Sequence, residues 1–111
     1  MVELEDLYVN TETAVLRKLN RSIEFAKRLI YLYKVFEKHG EVYVSDFHKF
    51  FKITYQRAKQ IFDELIALEL VVKVEGGEGC FKPVKNNGEI VIGKYISECE
   101  KRIEIEKEKL Y

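Results

Sequence analysis

Several things are scarce in this chain. Only two cysteines, Cys80 and Cys99, occur in its 111 residues. They form no CxxC, and no His/Cys cluster surrounds them, so no metal site is assigned. Two unpaired thiols in a reducing compartment are expected. Long apolar runs are also missing, and nothing approaches the roughly 20 residues a membrane helix requires. The opening MVELEDLYV is acidic and too short of apolar length to be a signal peptide or anchor. A soluble, cytoplasmic protein is the expectation. Net charge is missing as well, with 19 Lys/Arg balancing 19 Asp/Glu. No global attraction to polyanions follows from that balance. Catalytic pairings are absent too. Asp46 and His48 sit close together without a nucleophile. The glycine-rich EGGEG at residues 75–79 lacks the GKS/T sequel of a phosphate-cradling loop. The chain is therefore expected to be no enzyme, with no catalytic residue, cofactor or small-molecule substrate.

The balanced charge is unevenly distributed. Residues 1–12 carry Glu3, Glu5, Asp6 and Glu12 against no base. Residues 13–62 carry eleven Lys/Arg against four acids, a surplus of +7. Residues 63–111 return to −3. Such asymmetry suits a nucleic-acid face on an otherwise acidic body. At this length a single domain is expected. Its fold class reads as α+β. An acidic arm spans residues 1–12, and Asn10 or Thr11 caps a long first helix over residues 13–39. Two apolar stripes run down that helix. The first holds Leu16, Leu19, Ile23, Ala26, Ile30 and Tyr33, and the second Phe25, Leu29, Leu32 and Phe36. Gly40 follows as a stop.

Residues 41–85 are the most informative stretch. Residues 41–44 read as a short strand. Ser45 is expected to cap a helix of about seven residues carrying Phe47, Phe50 and Phe51. Lys52-Ile53 makes a turn, and Thr54 caps a second helix over residues 54–68. Ala58, Ile61, Phe62, Leu65 and Leu68 are its inward stripe. Two strands, residues 71–74 and 80–85, flank the glycine loop, with Pro83 placing the second at a sheet edge. Asn86-Asn87-Gly88 is a turn. Residues 89–92 extend from it, Gly93 marks a break, and a last helix covers residues 94–110. On the second helix, Tyr55, Gln56, Lys59 and Gln60 face away from the core stripe, with Arg57 on the flank. No acid occurs between residues 47 and 62. Gln pairs well with adenine and Arg with guanine in a major groove. Lys49 and Lys52, with His48 beside them, are placed for phosphate contacts. Lys73 and Lys82 flank the wing base.

The stretch ITYQRAKQIFDELIALELVVKV, residues 53–74, resembles the winged-helix superfamily over residues 41–85. It looks like the DNA-binding domain of bacterial chromosome-segregation translocases and like small archaeal regulators. The scarcity of Gln beside abundant Glu and Lys also resembles a thermophile's composition. The resemblance implies a winged helix-turn-helix that binds double-stranded DNA, with Tyr55, Gln56 and Arg57 reading the groove and Lys59 on phosphate. Two positions depart from the pattern. Glu69 stands where the superfamily usually has glycine, and the wing tip carries Glu75 and Glu78. A dimeric transcriptional regulator is the expectation. Phe25, Leu29, Leu32 and Phe36, with Ile96, Cys99, Ile103 and Leu110 of the last helix, are its expected dimer interface. The alternatives are a protein-interaction module in a larger complex and a DNA partition or chromosome-organising protein.

Overall fold

The computed structural model describes residues 4–108, with side chains from residue 16 onward. It is an α+β fold of four helices and two small antiparallel sheets. Helix α1 runs Leu4–His39 without interruption. It therefore begins well before the expected start near Thr13, and most of the expected acidic arm is helix. No glycine or proline interrupts the stretch. Asn10 and Thr11 are weak helix formers, and that alone does not end a helix. Gly40 closes it as expected, with φ +77° and its N–H donating to the Phe36 carbonyl at 2.9 Å.

Strand β1 is Val42–Tyr43 and leads directly into α2, Val44–Phe51. Ser45 is thus a first-turn residue and not the cap. The N-terminal residue of α2 has no side-chain cap. Instead the Val44 N–H donates to the Gly79 carbonyl at 2.8 Å, so a backbone group from the glycine loop does the capping. At the other end, Lys52 adopts the left-handed conformation. The Ile53 N–H reaches the His48 carbonyl at 3.0 Å and the Lys52 N–H reaches Lys49 at 3.3 Å, a Schellman closure. Helix α3, Tyr55–Ala67, starts on the expected cap: the Thr54 hydroxyl accepts from the Arg57 N–H at 3.1 Å.

Strands β2 (Val71–Lys73) and β3 (Cys80–Pro83) pair with β1 in the order β1-β3-β2. Pro83 therefore lies on the central strand, not at an edge. Two residues of β1 suffice only for Phe81 and Cys80. The Cys80 carbonyl and the Val84 N–H turn toward β2. By alternation, Pro83 turns its missing N–H the other way, past the end of β1, where no ladder bond is lost. The expected second strand also breaks there. A separate hairpin follows, β4 (Lys85–Asn86) with β5 (Glu89–Ile90), around an Asn87-Gly88 turn with both φ positive.

Helix α4 is Val91–Glu108 and starts directly from that hairpin. Gly93 lies inside it and is a point of close approach, not a break. A Cβ there would come within 2.9 Å of the Tyr33 ring. From Gly93 beside Tyr33 to an ion pair between Lys18 and Glu106 at 3.4 Å, α4 lies antiparallel on α1. This packing corrects the expected dimer interface. Leu29 and Leu32 are fully buried, Phe36 and Cys99 nearly so. Phe25, Ile96 and Ile103 are half-buried against the same core, and Phe25 meets Tyr95 edge-on at 6.1 Å. Leu110 lies outside the described residues. The second stripe of α1 and the apolar seam of α4 partner each other within one chain and give no reason for a second copy there.

Helix α3 ends on a second Schellman closure. The Glu69 N–H donates to Ile66 at 2.9 Å and the Leu70 N–H to Leu65 at 3.0 Å, with both leucines buried. Glu69 sits at φ +60°. A side chain in this conformation costs about 1–2 kcal/mol, partly offset by the freedom a glycine adds to the unfolded chain. Glu69→Gly is therefore expected to stabilise the protein by about 0.5–1 kcal/mol in urea denaturation. An unchanged or lower midpoint would show that the bend is not strained.

Candidate nucleic-acid interface

The first two turns of α3 present one continuous polar surface. Ala58, Ile61, Phe62 and Leu65 are buried, while Tyr55, Gln56, Arg57, Lys59 and Gln60 are exposed. The helix period enforces this division: once the apolar stripe turns inward, its opposite face must meet solvent. Lys49 and Lys52 are exposed on α2 and the turn. Lys49, Lys52, Arg57 and Lys59 make no ion pair among the described residues. Arg57 instead donates to the Gln60 side chain at 3.4 Å along the same helix. That bond is long and exposed, so the guanidinium is free to exchange it for another acceptor.

Tyr55 has a different environment from its neighbours. It is only 40% exposed. Its ring meets the His48 ring edge-on at 5.7 Å, and the Lys59 ammonium lies 5.9 Å from its centroid. Its hydroxyl lies so close to Gly79 that a Cβ there would be 3.0 Å away. Tyr55 therefore spans from α2 to the base of the glycine loop and braces the start of α3. His48 has a matching role. Its Nδ1 lies 3.1 Å from the Ile53 carbonyl. A carbonyl only accepts, so Nδ1 carries the proton and the ring ties the turn to α2. Neither role is visible in the sequence, because both depend on contacts across the turn and the sheet.

Lys73 and Lys82, expected to flank a wing, are not brought together. In the β2–β3 register, Val72 pairs with Lys82 and Lys73 with Phe81. Side chains alternate along a strand, so Lys73 and Lys82 lie on opposite faces of the hairpin. The tip between them is acidic, with Glu75 and Glu78 both exposed. Near the tip, Glu41 accepts from the Tyr43 hydroxyl at 3.2 Å and from the Cys80 thiol at 3.3 Å. Burial first, and the Glu41 carboxylate second, push the Cys80 thiol above its ordinary range. It stays protonated and poorly nucleophilic at neutral pH. Burial pushes Cys99 up in the same way, and both thiols are free.

Among the described residues, no three His, Cys, Asp or Glu side chains cluster to hold a metal ion. No described helix is long and apolar enough to cross a membrane. In comparison with known proteins, the chain matches no family model, no curated protein and no solved structure.

The brace at Tyr55 has a measurable consequence. Gly79 has φ +69° as well as the tyrosine hydroxyl above it. Gly79→Ala is expected to cost about 1–2 kcal/mol from backbone strain alone, and more from the clash. In the Tyr55→Phe background the clash component should vanish. A double-mutant cycle in urea should give a coupling of at least about 0.5 kcal/mol. Additive effects would mean that Tyr55 does not brace the loop.

Proposed function

We propose that the chain is a winged helix-turn-helix protein that binds double-stranded DNA, with α3 in the major groove. In this reading α2 and α3 are the helix-turn-helix, and β2–β3 with their glycine loop are the wing. The observation that carries it is the polar face at the start of α3. It is exposed, free of acids, free of internal ion pairs among the described residues, and rigidly capped by Thr54. A helix with such a face fits a major groove, where its first turns reach base edges. Gln56, Arg57 and Gln60 are the readers. Lys49, Lys52 and Lys59 hold phosphates. Tyr55 orients the helix start and contributes less to direct contact than a free side chain would. Transcriptional control by a homodimer is the function that suits a small protein of this kind, and DNA partition or chromosome organisation would use the same contacts.

A second reading is a winged-helix module that binds another protein. The acidic wing tip and the wing lysines on opposite faces favour it, because a wing that tracks a duplex presents bases along one side. In either reading the chain is a binding protein without catalysis.

Fluorescence anisotropy on duplexes at several salt concentrations separates the two. DNA binding should weaken with salt, each neutralised phosphate adding about −0.9 to the log–log slope. Lys52→Ala should weaken all duplexes alike. Gln56→Ala or Arg57→Ala should cost about 1–3 kcal/mol on the preferred site and little on random sequence. No binding at low salt would remove the DNA reading and leave the protein-interaction one.

A further inference from the structure

A groove opens between α1, β1 and α2. Tyr31 and Val35 of α1 and Val42 and Tyr43 of β1 form its apolar walls, and Glu41 and Asp46 supply two carboxylates, with His39 beside them. It encloses about 430 Å³, within the roughly 300–1,000 Å³ of ordinary ligand sites. Only described residues bound it. Residue 15 is roughly 24 Å from Tyr31 along α1. The end of α4 lies toward that far end too, where Lys18 meets Glu106. No residue of α3 lines the groove, and neither Lys49 nor Lys52 does.

The apolar wall continues onto an exposed ring. Phe50 is 63% exposed, more than any other large apolar side chain among the described residues. It stacks on Tyr31 with 4.4 Å between centroids. Asp46 and Phe50 are four residues apart on α2 and so share one face. The core side of α2 is a different one, where Val44 and Phe47 are buried. A lone exposed phenylalanine is ordinary on a surface. One that extends an aromatic groove marks a contact surface.

Charge identifies the occupant. No Lys or Arg lines the groove. Neither Glu41 nor Asp46 makes an ion pair among the described residues, with His39 or any other base. The Glu41 oxygens accept from the Tyr43 hydroxyl and the Cys80 thiol, two neutral donors that leave its charge uncompensated. Burial and then the Asp46 carboxylate raise the Tyr31 hydroxyl above its ordinary range, so that charge lies close to the aromatic wall. Carboxylates beside tyrosine rings suit a guanidinium, which is planar, weakly hydrated, stacks on aromatic faces and pairs with carboxylates through two hydrogen bonds. The aliphatic stem of arginine suits Val35 and Val42. A free small cation would leave Phe50 uncovered, whereas a polypeptide crossing α2 covers it. We infer that the groove docks an arginine-bearing segment of a partner protein, with the guanidinium between Glu41 and Asp46 and an apolar neighbour on Phe50. The groove shares no residue with the α3 face, so docking here is independent of DNA binding.

Selection from a phage-displayed library of random short peptides, with the full chain as target, tests this. Enriched peptides are expected to share an arginine close to an apolar residue. The best of them, made synthetically and labelled, is then titrated by fluorescence anisotropy. Phe50→Ser should weaken it by at least about tenfold, and so should Asp46→Lys, which reverses the charge. Replacing the peptide's arginine with norleucine should do the same. Both protein positions are exposed, so circular dichroism should show the fold intact. No enrichment, enriched peptides without arginine, or a peptide indifferent to both variants would overturn the inference. So would arginine amide binding as tightly as the peptide, which would make the groove a small-cation site. A dimer of the chain dispersed by Phe50→Ser would overturn it too, because the occupant would then be a second copy. The peptide assay contains no DNA, so its failure is distinct from failure of duplex binding.

Discussion

Phe62 is the point on which the architecture depends. It is fully buried, with Phe47 of α2 edge-on at 5.0 Å and Phe81 of β3 stacked at 4.5 Å. One ring therefore fixes α3 simultaneously to the preceding helix and to the central strand. Phe47 passes the contact on to Tyr31 of α1 at 5.8 Å, so a chain of rings links α1, α2, α3 and the sheet. Aromatic pairs of this geometry are each worth about 0.5–1.5 kcal/mol beyond their buried area. Packed rings also tolerate little displacement. The outward angle of α3, and hence the direction in which Gln56 and Arg57 point, follows from where Phe62 is held.

Much of this was legible in the sequence, and the legible parts share a cause. The Thr54 cap, the Gly40 stop, the stripe at Ala58, Ile61 and Leu65, and the Asn87-Gly88 turn are set by neighbours within a few residues. Local rules therefore suffice. The corrected features depend on distant partners. Ser45 gave way to Tyr43 as the N-cap position of α2 because Gly79, far along the chain, caps that helix with its carbonyl. Gly93 reads locally as a breaker, yet it sits in α4 because Tyr33 needs the space. Pro83 reads as an edge residue, yet it lies on the central strand because β1 is too short to reach it. The two apolar stripes on α1 were legible as stripes. Only the β4–β5 hairpin, which turns α4 back onto them, decides that the same chain covers them.

The candidate site divides in the same way. Its exposed members, Gln56, Arg57, Lys59, Lys49 and Lys52, follow from helical period and charge alone. The roles of Tyr55 and His48 do not. A tyrosine at the first turn of such a helix reads as a groove contact. The ring contact to His48 and the closeness of Gly79 instead make it a strut between α2 and the glycine loop. Lys73 and Lys82 looked equivalent as flanking bases. The register of β2 against β3 sends them to opposite faces. Strand parity carries that information, but it can be used only once the pairing is known.

Zero net charge narrows the ways such a surface can work. Beyond a Debye length, about 8 Å at physiological salt, opposing charges on this chain cancel or are screened. Electrostatic guidance is then local, and it depends on which groups lie within that distance of a partner. The start of α1 and the loop between β2 and β3 are acidic, whereas the α2–α3 face has bases and no acid between residues 47 and 62. A polyanion is therefore repelled at two places and attracted at one. The charge pattern orients the approach and leaves affinity to a few short-range contacts.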